Sequence, residues 1–223
     1  MSGISGPKII TSGCVLSLDA AERLSYPRTG TTWRDLSGNN NNGTLTNGPT
    51  FSAVNGGCIV FDGVDDYVDV ANTATLNVSS QTINIWYNAT TIPGRAATII
   101  CKHNTENSTN GYSILVGNSV QIKPSTGSTD IGTGVGVVST WYFLTLTFTI
   151  NSSATFYINA VNNASAAIGN FTMSSNSLRI GRSPDSYWSV FTGKIASVSI
   201  YNRELTAAEV LQNYNATKSR FGL

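Results

Sequence analysis

Residues 57–70 constrain this chain more than any other stretch. The run Gly57-Cys58-Ile59-Val60-Phe61-Asp62-Gly63-Val64-Asp65-Asp66-Tyr67-Val68-Asp69-Val70 sets apolar, β-branched segments on either side of an Asp-Gly step. Glycine accepts the positive φ that a tight primed turn demands, so this pattern predicts a strand, a turn and a second strand paired as a hairpin. The same run holds four carboxylates, Asp62, Asp65, Asp66 and Asp69, the densest acidic cluster in the chain. They have three conceivable uses: fixing a turn, holding a cation or doing chemistry.

The rest of the chain repeats the strand pattern. Period-2 or β-branched runs predict strands over 14–18, 43–45, 58–62, 67–70, 81–87, 97–102, 112–116, 120–122, 141–150, 154–159, 177–180 and 193–201. Thr145-Leu146-Thr147-Phe148-Thr149-Ile150 alternates cleanly, as a strand with one buried and one wetter face does. Asn, Gly and Ser clusters at 37–43, 104–111, 125–136 and 151–153 mark loops. One helix is expected near the end. Thr206-Ala207-Ala208-Glu209 is a capping box, with Val210, Leu211 and Tyr214 as the apolar stripe behind it. Many strands and one short C-terminal helix predict an all-β, antiparallel sandwich or jelly roll. Residues 13–223 form the domain, and 1–12 an N-terminal segment suited to tethering a partner.

Composition narrows function. Charged residues are 11% of the 223, and the net charge is +1. A nucleic-acid binder normally carries a basic stripe, so nucleic acid is not an expected partner. No run approaches the ~20 apolar residues of a membrane span, and the first residues show no secretory signal pattern. Cys14, Cys58 and Cys101 are odd in number, widely spaced and set in apolar runs, which suits buried free thiols better than zinc or a disulfide framework.

Several segments together resemble a known family: Val15-Leu16-Ser17-Leu18-Asp19-Ala20-Ala21, Ser25-Tyr26-Pro27, Thr32-Trp33-Arg34-Asp35-Leu36-Ser37-Gly38-Asn39, Asn42-Gly43-Thr44-Leu45, Phe61-Asp62-Gly63, and the stretch from Gly193-Lys194-Ile195-Ala196 to Leu205-Thr206-Ala207-Ala208-Glu209-Val210. The chain resembles the laminin G-like, concanavalin A-like lectin/glucanase superfamily, above all the stand-alone versions in cyanophages and other marine tailed phages. The resemblance implies a jelly roll of two curved antiparallel sheets. It also implies a virion component, a capsid decoration or a tail- or fibre-associated module. Such a protein is made in the host cytoplasm, sits in several copies on the particle surface, and contacts capsid or tail proteins and host-surface glycans. A free carbohydrate-binding lectin is the alternative.

Enzymatic chemistry is not expected. Glycoside hydrolysis needs two carboxylates set across a sugar ring. Laminarinase-type relatives carry Glu-X-Asp-X-X-Glu on one strand, and Glu22, Glu106, Glu204 and Glu209 make no such pattern here. The expected central strand, 141–150, has no carboxylate. His103 stands in a polar stretch with no nucleophile motif beside it, as a solvated loop residue. Sugar recognition needs aromatic platforms with neutral hydrogen-bonding groups. Tyr187 and Trp188, in the segment Arg182-Ser183-Pro184-Asp185-Ser186-Tyr187-Trp188-Ser189, fit that need, and Tyr112 beside Gly111 is a further candidate. Tyr26 and Trp33 read as packing residues, and the loops 102–110 and 125–136 as variable rims. The family's members often hold calcium at a sandwich edge, which would fall on Asp65 and Asp66. The residues themselves equally suit turn chemistry, with no cofactor required.

Overall fold

Threonine, valine, isoleucine and aromatic residues fill the runs that alternate, and the chain folds them as strands in two layers. The computed structural model describes residues 7–103, 110–117, 119–122, 129–133, 137–184 and 186–223. In chain order the strands are β1 (Cys14–Asp19), β2 (Thr32–Trp33), β3 (Gly43–Thr46), β4 (Thr50–Ser52), β5 (Cys58–Asp62), β6 (Tyr67–Val70), β7 (Ser80–Ala89), β8 (Ala97–Lys102) and β9 (Tyr112–Val116). They continue as β10 (Ser119–Ile122), β11 (Thr129–Thr133), β12 (Trp141–Thr149), β13 (Ser153–Ile158), β14 (Val161–Ala167), β15 (Leu178–Ile180), β16 (Ser189–Val190) and β17 (Thr192–Tyr201). The helix α1 (Ala207–Thr217) follows. The first sheet runs β14-β13-β12-β7-β17-β5-β4, with β1 also on β17. The second runs β11-β10-β9-β8-β15-β6-β3-β2. Among the described residues the strands pair antiparallel except β16, which joins β8 in parallel, and an isolated parallel bridge links Asn110 to Thr172.

The expected hairpin at 57–70 is not one. β5 pairs with β4 and β17 in the first sheet, while β6 pairs with β3 and β15 in the second. The Asp-Gly turn carries the chain over the rim from one layer to the other. Gly63 does take the positive φ, 82°. The reason lies in burial: Phe61 on β5 and Val68 and Val70 on β6 all enter the core, so the two strands face each other across it instead of lying side by side. A two-residue turn could not span that gap, and residues 63–66 bridge it.

The core lies between the layers. Ile83, Ile85 and Tyr87 on β7 meet Leu144, Leu146 and Phe148 on β12 and Val198 and Ile200 on β17, none more than 1% exposed. Valine and leucine side chains buried to this degree each contribute roughly 1.5–3 kcal/mol. A second apolar cluster forms on the outer face of the first sheet, where Val210 of α1 and Phe221 of the 3-10 turn after it (Lys218–Phe221) cover Trp86, Phe143 and Tyr201. Thr206 caps α1 as expected: its Oγ1 accepts from Glu209 N, and Glu209 Oε2 accepts from Thr206 N at 2.9 Å. Leu211, however, faces solvent at 47% exposure, and Asn213 takes the buried position. Positions 210, 213 and 214 share one helical face, which leaves 211 outside it. Residues 8–12 run along α1, with Ile10 N donating to Asn213 Oδ1 at 2.7 Å and Gln212 Nε2 to Lys8 O at 2.8 Å. The rest of the expected tether, 1–6, lies outside the described residues. No helix is long and apolar enough to cross a membrane among the described residues.

Candidate functional site

The rim crossing at 62–66 is built by its own carboxylates. Asp62 Oδ1 accepts from Val64 N at 2.8 Å, and Asp66 Oδ2 accepts from Asp62 N at 3.0 Å. Asn47 Nδ2 and Arg182 Nη1 both donate to the main-chain oxygen of Asp65, at 3.0 and 3.4 Å. Oxygens of Asp62, Asp65 and Asp66 lie within 4.8 Å of one another. Asp66 is 3% exposed. Burial first, then the neighbouring charges of Asp62 and Asp65, raises its carboxyl above the ordinary range. An all-oxygen cluster of this kind suits a hard cation such as calcium. One oxygen each of Asp62 and Asp66 is already engaged by a backbone amide, as turn chemistry requires.

The loop after β15 packs onto this crossing. Gly181 has φ 92°, and a Cβ there would stand 2.6 Å from the Phe61 ring, so only glycine lets the loop approach β5. Beyond it, Arg95 anchors the aromatic pair. Its guanidinium lies 4.7 Å from the Tyr187 ring centroid, and its Nη1 donates to Tyr187 O at 2.9 Å. The rings of Tyr187 and Trp188 meet edge-on at 4.8 Å. Tyr187 is 47% exposed. Trp188 is half-buried, with its Nε1 shielded from water and without a hydrogen-bond partner.

Between the rim crossing and this loop runs a groove of about 500 Å³, lined by Val64, Thr91, Pro93, Arg182, Trp188 and Thr192, among others. Two sets of residues singled out in the sequence thus converge: the acidic turn on one side and Trp188 on the other, with Arg182 joining them. The third does not belong. Tyr112 is fully buried, its ring 5.7 Å from Phe148 between the sheets, so it presents no face to a ligand. Burial also pushes its hydroxyl pKa up. His103 likewise is 1% exposed, not solvated, because the segment before β15 folds over the end of β8 and Asn176 Nδ2 reaches the His103 carbonyl. Of the expected rims, 104–109, 125–128 and 134–136 lie outside the described residues, and 129–133 form β11. Arg95 went unnoticed in the sequence because its partner lies 92 positions away.

The outer face of the first sheet is the other place where chemistry could sit. Thr145 Oγ1 donates to Asn84 Oδ1 at 2.7 Å, and Asn84 Nδ2 to Ser199 Oγ at 3.3 Å. A small cavity of about 80 Å³ separates these groups from α1, and its lining includes one carboxylate, Asp19. That carboxylate is paired with Arg220 Nη1 at 2.7 Å.

A family model described as the concanavalin A-like lectin/glucanases superfamily matches residues 62–211. The chain belongs to that superfamily. Among curated protein sequences none matches. Solved structures of this concanavalin A-like fold superpose over nearly the whole chain. The binding domain of Paraclostridial Mosquitocidal Protein 1 aligns at a TM-score of 0.73 and 19% identity, over 92% of this chain and 52% of that one. Domain 4 of AbnA, an extracellular arabinanase from Geobacillus stearothermophilus solved with arabinotriose, aligns at 0.72 and 18% identity, over 90% and 98%. Trypanosoma rangeli sialidase aligns at 0.71 and 14% identity, over 95% and 34%. The chain therefore spans about half of the first protein, a third of the sialidase and nearly all of the arabinanase domain. At these identities the likeness is one of fold.

Proposed function

We propose that this chain is a non-enzymatic recognition module that binds saccharides through the groove between the 62–66 crossing and Trp188. The groove itself carries the reading. It joins a half-buried indole to hydroxyl groups and a guanidinium, the mixture that orients a sugar by stacking and hydrogen bonds. The arabinanase domain solved with arabinotriose, which matches this chain almost end to end, supports a saccharide ligand. The neutral Asn84, Thr145 and Ser199 on the outer sheet face support binding without hydrolysis, since glycoside cleavage needs a carboxylate pair. The phage-like segments support display on a virion, in several copies on a capsid or tail, with host-surface glycans as the ligand. A lectin free of any particle is the second reading, favoured by the binding-domain neighbour.

A glycan array tests the binding. Wild-type protein is expected to select a saccharide set, and Trp188→Ala to weaken it by about tenfold or more, as loss of a stacked ring does, with an unchanged circular dichroism spectrum. Turnover of a β-glucan by the purified chain, or array binding indifferent to Trp188→Ala, would overturn the reading.

A further inference from the structure

Lys102 ends β8 with no solvent exposure. Its Nζ donates to Asn72 Oδ1 at 2.6 Å and to the Asn176 main-chain oxygen at 2.7 Å, both neutral acceptors. Among the described residues no carboxylate pairs with it. Burying an ammonium without a counter-charge is costly, and a neutral amide donor could pin the same two acceptors for less. Burial lowers this lysine's pKa to about 8.

The two acceptors of Lys102 open onto space. Asn72 and Asn176, with Ser175, Ser177, Arg179 and Pro184, line a cavity of about 360 Å³. Among the described residues that line it, none is acidic. Arg179 reaches in from β15 with its guanidinium 4.8 Å from the Tyr67 centroid and its Nε 3.7 Å from Asp69 Oδ1. A long, half-exposed ion pair of that kind is weak, and the guanidinium keeps donors for a ligand. Pro184 belongs to the same loop as Arg182 and Trp188, so this cavity and the groove lie along one loop.

We infer that the cavity is a second binding site, one that takes an anionic sugar: a carboxylate or sulfate group held by Arg179 above the buried Lys102 charge, with the saccharide hydroxyls on Asn72, Ser175 and Ser177. That the oxyanion is carried on a saccharide rests on the function proposed above; that the site takes an anion does not.

Calorimetric titration of the full chain tests it, with oligogalacturonate, a neutral galactan oligosaccharide of equal length, and sodium sulfate as probes. Oligogalacturonate is expected to bind, with sulfate competing. Arg179→Gln and Lys102→Met are each expected to weaken that binding by about tenfold or more, the scale of a lost charged contact, Lys102→Arg to retain most of it, and Trp188→Ala to leave it unchanged. Arg179→Gln alters a partly exposed side chain, so the test stands even if Lys102→Met does not fold. Equal affinity for the acidic and neutral oligosaccharides, no oligogalacturonate binding, or wild-type binding by Arg179→Gln would each overturn the inference. So would sulfate binding without oligogalacturonate, which would reduce the cavity to an ion site. If oligogalacturonate binds here while no neutral glycan responds to Trp188→Ala, the groove reading fails alone.

Discussion

Trp86 and Trp188 occupy two regions of similar aromatic content that the fold uses in opposite ways. Under α1, Trp86 stacks with Phe221 at 4.0 Å and with Tyr214 at 5.8 Å, meets Phe143 at 5.1 Å, and gives its Nε1 to Thr217 Oγ1 at 2.8 Å. Nothing of that ring is left for a ligand. At the rim, Trp188 meets Tyr187 edge-on, its shielded Nε1 has no partner, and its side chain lines an open groove. The difference is in satisfied contacts, not in residue type. A tryptophan with every partner supplied by its own chain is architecture, while one whose ring lines a groove keeps surface for recognition.

The largest expected effect separates the two rings. Trp86→Ala removes a fully buried side chain together with its stacks and should cost about 3–5 kcal/mol in denaturant unfolding. Trp188→Ala should cost less than about 1 kcal/mol while losing ligand. Comparable destabilisation by both would erase the distinction and make Trp188 a second structural anchor.

That distinction was only partly legible beforehand. Twelve of the strands and the capped helix follow from alternation and from the Thr206 to Glu209 spacing, because those signals are local. β14 was missed because its two-residue turn is Asn159-Ala160, both at positive φ, 51° and 64°, where the usual sequence marker would be glycine. The run at 57–70 carried true strand and turn signals but a false pairing. Local pattern tells which residues are extended, not whether the next strand lies beside or across the core. The acidic turn and Trp188 were each visible in the sequence. Their convergence was not, since it depends on β5 and β6 belonging to different sheets and on Arg182 reaching the Asp65 carbonyl. Lys102 gave no signal, because a lysine at a strand end reads as solvated until the segment before β15 is seen to cover it.

A smaller effect is expected where α1 is pinned over Trp86. Arg203 binds Glu209 with two nitrogens, at 2.9 and 2.6 Å, and together with the Thr206 amide this holds the carboxyl down at about 2, against an ordinary 4.5. A depressed carboxyl stabilises the fold at any pH above its unfolded value, and that contribution drains away as pH falls from about 4.5 toward 2. The group is partly exposed, so water screens the pair and the effect stays near that of a helix cap, about 1 kcal/mol. Thr206→Ala should lose a similar amount at pH 7, read by thermal melting. Glu209→Gln should flatten the acid limb of stability against pH. An unchanged acid limb would mean that α1 is held by the Trp86 cluster alone.

The smallest expected effect is at the rim, where the acidic crossing could be tied together by its own hydrogen bonds or by an ion. Backbone amides already occupy one oxygen each of Asp62 and Asp66, and Asn47 and Arg182 hold the Asp65 carbonyl. On that footing a chelator should move the melting temperature by less than about 2 °C, below the 2–4 °C that accompanies 1 kcal/mol in a domain of this size. A bound ion would behave otherwise, because a ligand of the native state stabilises it in proportion to the logarithm of its concentration. A fall of several degrees on chelation, restored by calcium and absent in Asp65→Asn, would turn the crossing from a self-sufficient turn into a cation centre. It would also place that cation beside the groove wall formed by Val64, within reach of whatever saccharide Trp188 receives.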